Sequence, residues 1–375
     1  MTIDKLRVAT IVGTRPEIIR LSRVIAVLRR DCSHTLIHTG QNYDRELNQI
    51  FFEDLSISPP DVFLEAARET AIQTIAAVFS RVESALRHVN PDAVLVLGDT
   101  NSGLSLIVAR RLGIPTFHME AGNRCFDARV PEEINRRLID HVADINMPYS
   151  ALARELLLRE GLPPDRIIVT GSPLKEVLTY YSHTISSSRA LETFGLKEGR
   201  FYLVSIHREE NVDSSARLRD FIQMLNALAT SDGLQLLVST HPRTRRRLAE
   251  LGDDFHPLLR FVNPLTFTDY VHLQTKAKVV LSDSGSISEE AAILGFKALN
   301  LRDTHERSEA MEEASVMMVG SNFDRVQQAI LILESQNLDD ASRMRTPLDY
   351  QSPNVSEKVS RIIHSYVDFV RRTNR

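Results

Sequence analysis

The stretch from His118 to Arg137 concentrates acidic and basic side chains and is the part of the sequence best suited to acid-base chemistry. An apolar run that ends at Phe117 is typical of a buried strand, and Pro131-Glu132-Glu133 opens an amphipathic segment typical of a helix. The charged residues between them therefore occupy a strand-to-helix connection. In a parallel α/β sheet, such connections lie at the carboxyl edge of the strands, where ligands bind. A solvated charged loop is the alternative.

Other polar turns follow apolar runs in the same way. Gly13-Thr14-Arg15-Pro16 places a permanent positive charge at a strand edge, where Arg15 could clamp a phosphate. Gly98-Asp99-Thr100 closes another apolar run in the first half of the chain. In the second half, His207 lies among polar neighbours, which is less typical of a structural histidine, and His241 ends the next strand similarly.

The segment Asp283-Ser284-Gly285-Ser286 follows an apolar run and precedes a helix that contains Glu289 and Glu290. Free backbone N–H groups and the positive end of the helix suit a diphosphate, and small side chains let it approach closely. Glu290, one turn into the helix, could accept both hydroxyls of a ribose. A capped helix without a ligand is the alternative. The dinucleotide glycine fingerprint and the Walker lysine loop are both missing, which argues against ATP hydrolysis.

Apolar strand-like runs alternate with helical periods along nearly the whole chain, which predicts parallel sheets with helices on both faces. From residue 171 to 200 the pattern loosens into Pro, Ser and Gly. We therefore predict an α/β fold with two Rossmann-like domains. Residues 1–171 form the first domain and carry the acids, 172–200 form a linker, 201–355 form the second domain, and a last helix at 356–375 packs back on the first.

Composition limits the classes of function. The chain has 375 residues, enough for two domains, and its net charge of -4 provides no general attraction to nucleic acid or anionic membranes. It shows no signal-peptide pattern and no apolar run of membrane-spanning length, so we predict a cytoplasmic protein. Cys32 and Cys125 are too few for a disulfide framework and are not spaced as a metal site.

Together these residues resemble the non-hydrolysing UDP-N-acetylglucosamine 2-epimerase family over essentially the whole chain. The resemblance implies the architecture of B-type glycosyltransferases, with two domains that face each other and bind the nucleotide sugar in the cleft. The matching pieces, in chain order, are Gly13-Thr14-Arg15-Pro16-Glu17, Gly98-Asp99-Thr100, Glu120-Ala121-Gly122, Pro131-Glu132-Glu133 with Asn135-Arg136, His207-Arg208, Asp283-Ser284-Gly285, Glu289-Glu290, and Arg302-Asp303 with Glu306-Arg307.

The resemblance implies anti elimination of UDP to a 2-acetamidoglycal, followed by re-addition of UDP with C2 inverted. Because the C2 hydrogen is not acidic by itself, departure of the diphosphate must first build positive charge at the anomeric carbon. Two carboxyl groups on opposite faces are then needed, one to remove the proton and one to deliver it. The matching acids are Asp99, Glu120 and Glu132, and the resemblance leaves open which is base and which is acid.

Further roles follow from the resemblance alone. His207 matches a histidine beside the diphosphate that could stabilise the leaving charge as imidazolium. Tyr270 falls where the family packs the uracil. The residues implied in substrate and UDP binding are Arg15, Arg136, Tyr270, Ser284, Gly285, Ser286, Glu290 and Arg307. No metal and no cofactor are implied, and a homodimer is the family expectation.

Three stretches, residues 15–22, 122–127 and 207–211, look like one branch of the family. That branch converts UDP-2-acetamido-2,6-dideoxy-L-talose to UDP-N-acetyl-L-fucosamine for surface polysaccharides. The alternative substrate is UDP-N-acetylglucosamine, converted to UDP-N-acetylmannosamine. A glycosyltransferase of the B type, a hydrolysing 2-epimerase and a non-catalytic nucleotide-sugar sensor are the remaining alternatives.

Overall fold

The computed structural model describes residues 4–41, 45–127, 129–240, 242–252, 254–336 and 344–373, and His241 lies outside them. The chain divides into two compact units. The first unit comprises Met1–Tyr180 together with Leu348–Arg375, and the second comprises Tyr181–Pro347.

Each unit contains a six-stranded parallel sheet. The first sheet has the strand order β3-β2-β1-β4-β5-β6 and the second has the order β12-β11-β10-β7-β8-β9. The strands are β1 Arg7–Val12, β2 Ser33–His38, β3 Val62–Phe63, β4 Ala93–Leu97, β5 Thr116–Met119, β6 Ile145–Met147, β7 Phe201–Ser205, β8 Gln235–Ser239, β9 Leu259–Val262, β10 Val279–Ser282, β11 Ala298–Asn300 and β12 Met317–Met318. Both orders are those of the Rossmann fold, which confirms the predicted fold class.

The helices connect successive strands and cover the faces of the sheets. In chain order they are α1 Arg15–Asp31, α2 Arg45–Asp54, α3 Ala71–Val89, α4 Ser105–Arg111, α5 Pro131–Val142, α6 Ala151–Arg159, α7 Leu174–Tyr180, α8 Ser182–Ser186, α9 Ala190–Phe194, α10 Glu209–Val212, α11 Ser215–Asp232, α12 Pro242–Leu251, α13 Phe267–Lys276, α14 Ile287–Leu294, α15 Ser308–Glu312, α16 Phe323–Ser335 and α17 Val355–Thr373. Short 3₁₀ turns occupy Pro164–Arg166 and Leu348–Tyr350.

The central strands are buried on both faces, as expected of a parallel sheet covered by helices on both sides. Every residue of β4 is buried, and so is every residue of β10. In the first unit, Ile139 of α5 and Val82 of α3 pack in the same apolar cluster as Val94 and Val96 of β4. This packing fixes α5 against the sheet and thereby places the polar residues of its first turns at the carboxyl edge.

In each sheet the strand order reverses direction at one position. The first unit reverses between β1 and β4, and the second reverses between β7 and β10. In a Rossmann fold, the connections leaving such a pair of strands run in opposite directions and open a crevice for a ligand. The turns that follow these four strands therefore define where each unit is suited to bind one.

The segment predicted as a linker, residues 172–200, instead contains α7, α8 and α9, and the boundary between the units lies between Tyr180 and Tyr181. Some of its serine and glycine residues lie at helix ends. Ser188 Oγ accepts a hydrogen bond of 3.1 Å from the N–H of Ala190 at the start of α9, and Gly195 ends that helix with φ 62°. The composition therefore reflects short helices rather than loose chain.

The last helix lies on the first unit, but the return begins earlier than predicted, at Leu348 rather than 356. The apolar face of α17 includes the buried Val359 and Ile363. Ser360 Oγ donates a 2.9 Å hydrogen bond to Asp31 at the end of α1, and Arg30 pairs with Glu357 at 2.9 Å. In the described part of the chain, no helix is both long and apolar enough to cross a membrane.

Candidate functional site

At the carboxyl edge of the first sheet, the buried carboxylate of Glu17 joins the turns that follow β1 and β4. It accepts hydrogen bonds from the N–H groups of Gly13 and Thr14 at 2.9 and 2.6 Å. On the other side it accepts from the hydroxyls of Thr100, at 3.0 Å, and Ser102. Burial raises the pKa of Glu17, and these neutral donors oppose the rise only in part. The carboxylate therefore holds the two turns together at the strand reversal.

Asp99 follows β4 and is held by α5. Arg136 Nη2 lies 2.6 Å from Asp99 Oδ2, and Arg136 Nε donates to the same oxygen at 3.1 Å. Asn135 Nδ2 donates to the backbone oxygen of Asp99 at 3.0 Å. The Arg136 side chain is 3% exposed and that of Asp99 is 25% exposed. Arg136, predicted to bind substrate, thus orients a predicted catalytic acid that still reaches solvent.

Glu120 follows β5, the neighbour of β4, and Leu97 and Met119 pair at the ends of these strands. Its backbone adopts φ 63°, the left-handed region that only a few per cent of non-glycine residues occupy. Its N–H donates to Met147 O at 3.1 Å, and Arg20 Nε lies 3.9 Å from its carboxylate. Glu120 is therefore placed at the sheet edge beside a buried guanidinium.

At the start of α5, Glu132 is half-buried in the first turn and its neighbour Glu133 is buried. Glu133 accepts from the N–H of Cys125 at 3.0 Å and pairs with Arg137 at 2.9 Å and Arg136 at 3.2 Å. Burial raises the pKa of Glu133, but these hydrogen bonds and cations outweigh burial and lower it. Glu133 thus supports the loop from the helix side.

Arg15 lies at the first position of α1, half-buried, with its guanidinium carbon 5.4 Å from the centre of the Phe51 ring. A guanidinium group packs favourably against an aromatic face. The position is consistent with the predicted phosphate contact.

In the second unit, His207 follows β7 and is oriented by the buried carboxylate of Asp283, which follows β10. The His207 N–H donates to both oxygens of Asp283 at 3.1 Å, and its Nδ1 lies 3.0 Å from Oδ1. Asn211 Nδ2 adds a hydrogen bond of 3.0 Å. Burial raises the pKa of Asp283, but the His207 charge and these donors outweigh burial and lower it to about 2. The His207 side chain is 40% exposed, so its other ring nitrogen remains accessible.

The turn after Asp283 is built from small residues, as predicted for an anion site. Ser284 Oγ and Ser286 Oγ lie 2.9 Å apart, and Ser286 Oγ donates to Glu290 at 2.7 Å. A Cβ atom added at Gly285 would collide with Glu306 Oε1, so a larger residue here would have to displace the Glu306 carboxylate. Glu290 is also held by Gln274 Nε2 at 2.5 Å. The N–H groups of Ser284 and Ser286 donate to the hydroxyls of Ser282 and Ser284 at 3.1 and 3.3 Å, so the start of α14 combines a serine turn with a fixed carboxylate.

Tyr270 of α13 lies at the same strand edge. Its hydroxyl hydrogen-bonds with Ser205 and Ser282, which end β7 and β10, and its ring packs against the apolar cluster of the unit. Burial and the nearby Glu290 raise the pKa of the phenol. The tyrosine is therefore neutral, and the structure brings it together with His207 and the serine turn.

Arg307 is buried and supports the same turn. Its Nε donates to Gly285 O at 3.1 Å, and its Nη1 lies 3.4 Å from Glu289. The Arg307 side chain is 5% exposed. A residue predicted to bind the ligand thus holds the backbone that forms the predicted diphosphate site.

Three residues important for this geometry had no role assigned from the sequence. Glu17, Glu133 and Asp283 are buried carboxylates that each accept a hydrogen bond from a turn distant in the sequence or from a loop outside their own helix. Each lies within a polar motif that sequence analysis singled out, and that was the available signal. Their partners are brought together only by the fold, so the sequence could not show what each carboxylate binds.

Fold and sites define the class as a two-unit α/β enzyme, with acids at the sheet edge of the first unit and a turn of small residues at the sheet edge of the second. A family model described as UDP-N-acetylglucosamine 2-epimerase matches residues 26–364. The chain therefore belongs to the UDP-N-acetylglucosamine 2-epimerase family and is an isomerase, which confirms the family indicated by the sequence motifs.

Individual relatives cover nearly the whole chain. The structure of UDP-N-acetylglucosamine 2-epimerase from Rickettsia bellii is 45% identical, with a TM-score of 0.89 over 98% of this chain and 99% of that one. UDP-GlcNAc 2-epimerase from Methanocaldococcus jannaschii, solved in complex with UDP-GlcNAc and UDP, is 30% identical, with a TM-score of 0.89 over 96% and 100%. UDP-2,3-diacetamido-2,3-dideoxy-D-glucuronate 2-epimerase from Pseudomonas aeruginosa is 31% identical over 86% and 90%.

The lowered pKa of Asp283 predicts a specific pH dependence of stability. Its folded value of about 2 lies below its ordinary 3.8, so the ionised carboxylate stabilises the fold above pH 3.8 and this contribution is lost as pH falls toward 2. The Asp283→Asn variant lacks that contribution. The difference in free energy of unfolding between wild type and D283N should therefore shrink by about 2 kcal/mol between pH 4 and pH 2.

Urea unfolding of both proteins at a series of pH values measures this difference. Asp220→Asn, at an exposed position of α11, is the control and should show no such change. A constant difference between wild type and D283N across the range would contradict the assignment.

Proposed function

We propose that this protein inverts C2 of a UDP-2-acetamido sugar by anti elimination of UDP and re-addition to the 2-acetamidoglycal. The observation that carries the proposal is the placement of Asp99 and Glu120 at the ends of the neighbouring strands β4 and β5. Inversion at an unactivated carbon needs two carboxyl groups that exchange a proton from opposite sides. Asp99 and Glu120, on adjacent strand ends, provide the two carboxyl groups that the reaction requires.

The bond changes balance without an external reactant. The bond between the anomeric carbon and the diphosphate oxygen breaks, one carboxylate takes the C2 proton, and a double bond forms between C1 and C2. A second carboxyl group then delivers a proton to the opposite face of C2 while the diphosphate oxygen rejoins C1. Asp99, Glu120 and Glu132 are the candidate acids, and the assignment of base and acid among them stays open.

His207 is proposed to stabilise the negative charge that develops on the departing diphosphate. The contact of its Nδ1 with Asp283 at 3.0 Å fixes the orientation of the ring. A cation held in place before the reaction stabilises such charge without reorganisation. This is electrostatic support for the leaving group and requires no proton transfer to C2.

The UDP moiety is proposed to bind at the start of α14. Ser284, Gly285 and Ser286 offer backbone N–H groups and hydroxyls to the diphosphate, and Glu290 offers its carboxylate to the ribose. Tyr270 provides an aromatic surface for the uracil, and Arg15 a further phosphate contact. For Arg136 and Arg307 we propose a supporting role, since their guanidinium groups already bind Asp99 and Gly285.

For the particular sugar, we propose the branch that forms UDP-N-acetyl-L-fucosamine from UDP-2-acetamido-2,6-dideoxy-L-talose. The stretches 15–22, 122–127 and 207–211 support this choice. Overall identity does not decide it, because relatives at 32% and 31% identity carry the names of epimerases for different UDP sugars. Conversion of UDP-N-acetylglucosamine is the alternative. The homodimer stays a prediction from the family resemblance, and the cytoplasmic location stays a prediction from the sequence pattern.

Glu120→Gln is expected to abolish turnover while UDP still binds. The change keeps the shape of the side chain but removes its ionisable group, so the rate should fall about 10²- to 10⁴-fold. Product formation measured by chromatography and UDP affinity measured by calorimetry report the two effects separately. Glu155→Gln, at an exposed position of α6, is the control. A near-normal rate for E120Q would show that Glu120 does not transfer the proton.

Ser284→Trp is expected to abolish UDP binding. The indole would fill the turn in which Ser284 Oγ and Ser286 Oγ lie only 2.9 Å apart and would block the approach to the backbone N–H groups. Calorimetric titration with UDP measures the loss, and Ser215→Trp, at an exposed position of α11, is the matched control. Unchanged affinity in S284W would rule out this turn as the diphosphate site.

The branch assignment predicts a preference for the 6-deoxy sugar. We expect kcat/KM for UDP-2-acetamido-2,6-dideoxy-L-talose to exceed that for UDP-N-acetylglucosamine by about 10²-fold, since the two differ in configuration and in the C6 hydroxyl. Initial rates with each purified substrate measure the ratio. A higher kcat/KM for UDP-N-acetylglucosamine would assign the protein to the alternative substrate.

A further inference from the structure

A cluster of four charged or titratable side chains lies behind the acid-bearing loops of the first unit. His118 of β5, Arg124, Asp140 of α5 and Glu160 form a continuous series of contacts. The side chains of His118, Arg124 and Asp140 are 0% exposed, and that of Glu160 is 23% exposed. None of the four has a role in the proposed reaction, and the three buried members cannot touch a substrate.

Asp140 occupies the centre of this cluster. Its carboxylate lies 3.0 Å from His118 Nδ1 and accepts a 2.7 Å hydrogen bond from Arg124 Nη1. It also accepts from the backbone N–H of Gly122, which lies 3.2 Å from Oδ2 and 3.3 Å from Oδ1. Gly122 follows Glu120 by two residues, so Asp140 fixes the backbone just after that acid.

His118 extends the cluster to the other acid. Its Nε2 lies 2.9 Å from the carbonyl oxygen of Gly98, which follows β4 and directly precedes Asp99. The carbonyl can only accept, so this ring nitrogen carries the hydrogen. One imidazole and one carboxylate therefore join the backbone beside Asp99 to the backbone beside Glu120.

The backbone at Glu120 needs such support. Glu120 has φ 63°, and Gly122 has φ 83° in a position where a Cβ would lie 2.4 Å from Ala153 O. A non-glycine residue stays in the left-handed region only when its surroundings determine that conformation. Asp140 supplies one hydrogen bond to this turn, and the N–H of Glu120 bonding to Met147 O supplies another.

Arg124 anchors the outer side of the cluster. Its Nη1 donates to Asp140 and to its own neighbour, Asn123 O, each at 2.7 Å, while Nε and Nη2 bind Glu160 at 2.8 and 2.6 Å. The acids raise the pKa of Arg124 against the opposing effect of burial. Buried ion pairs often add little stability compared with apolar packing, so stability alone is a weak reason for this arrangement.

We propose that Asp140 and His118 are positioning residues that set the distance and orientation of the acids at 99 and 120 in the C2 epimerisation. The inference rests on the proposed function. Asp140 acts through the Gly122 N–H and His118 through the Gly98 carbonyl. Proton transfer from both faces of C2 is sensitive to displacements of about 1 Å, so loss of the cluster impairs turnover more than binding.

The test compares Asp140→Asn with Asp144→Asn. Asp144 is a matched control because its side chain is also 0% exposed and accepts from a backbone N–H, that of Thr116, at 3.0 Å. Thr116 begins β5, so this contact lies at the opposite end of the strand from the acids. In D140N an amide N–H₂ must face a donor, either the Gly122 N–H or Arg124.

We expect D140N to lower kcat about 10²-fold, with KM changed less than about 3-fold and the pH profile of kcat shifted. D144N should keep wild-type kcat at a similar loss of thermal stability. Hydrogen-deuterium exchange of peptides that span residues 120–124 should rise in D140N and stay unchanged in D144N. Equal effects of the two variants on kcat, or wild-type kcat in D140N, would overturn the proposal.

If D140N does not fold, Glu160→Gln at the partly exposed end of the cluster provides the second variant. It should lower kcat about 3- to 10-fold at unchanged KM, and an unchanged kcat would overturn the proposal in the same way. An error in the proposed function gives a different result from an error in the positioning role. In that case the wild-type protein would epimerise none of the UDP-2-acetamido sugars offered. Wild-type turnover with an active D140N contradicts only the positioning role.

Discussion

The geometry of both sheet edges depends on one kind of interaction, a buried carboxylate that binds two turns where the strand order reverses. In the first unit, Glu17 joins the turn after β1 to the turn after β4. In the second, Asp283 joins the turn after β10 to the turn after β7. The two differ in their donors. Glu17 receives hydrogen bonds from neutral groups, so burial dominates and its pKa is raised, whereas Asp283 faces His207 and its pKa is lowered to about 2. The first unit thus has a carboxylate that joins neutral turns, and the second has one that orients a histidine.

The other site residues follow from these two anchors. With its turn fixed, Asp99 is oriented by Arg136, and Gly285 is held by Arg307. Both arginines are almost fully buried, so each contacts the protein residues around it and supports the site from behind. Asp140 is also a buried charged residue that supports the site, because its carboxylate, on α5, accepts a hydrogen bond from the backbone beside Glu120. The acids of the first unit and the serine turn of the second are therefore only partly buried, whereas the groups behind them are buried and charged.

Much of this could be predicted from the sequence because parallel α/β folds place strand-end turns at one edge. The alternation of apolar runs predicted both sheets, and polar residues directly after β1, β4, β5, β7 and β10 predicted the sites. The prediction of an irregular linker at 172–200 was wrong in part, because Ser188 and Gly195 lie at the two ends of a short helix. Hydrogen bonds between residues far apart in the sequence could not be predicted. Nothing in the order of residues shows that Glu17 binds Ser102 or that Asp140 binds Gly122. Such pairs exist only after the sheet has brought distant turns together.

The most direct test of the account is proton NMR of the purified protein in heavy water with UDP-2-acetamido-2,6-dideoxy-L-talose, with UDP-N-acetylglucosamine in a separate tube. Elimination and re-addition require that the C2 hydrogen leave and be replaced from a carboxyl group that has exchanged with solvent. The account predicts that deuterium enters C2 as the epimer forms, with UDP retained in the product. Epimer that forms with its C2 hydrogen kept would contradict the elimination mechanism. The absence of exchange at C2 in both tubes would also contradict it.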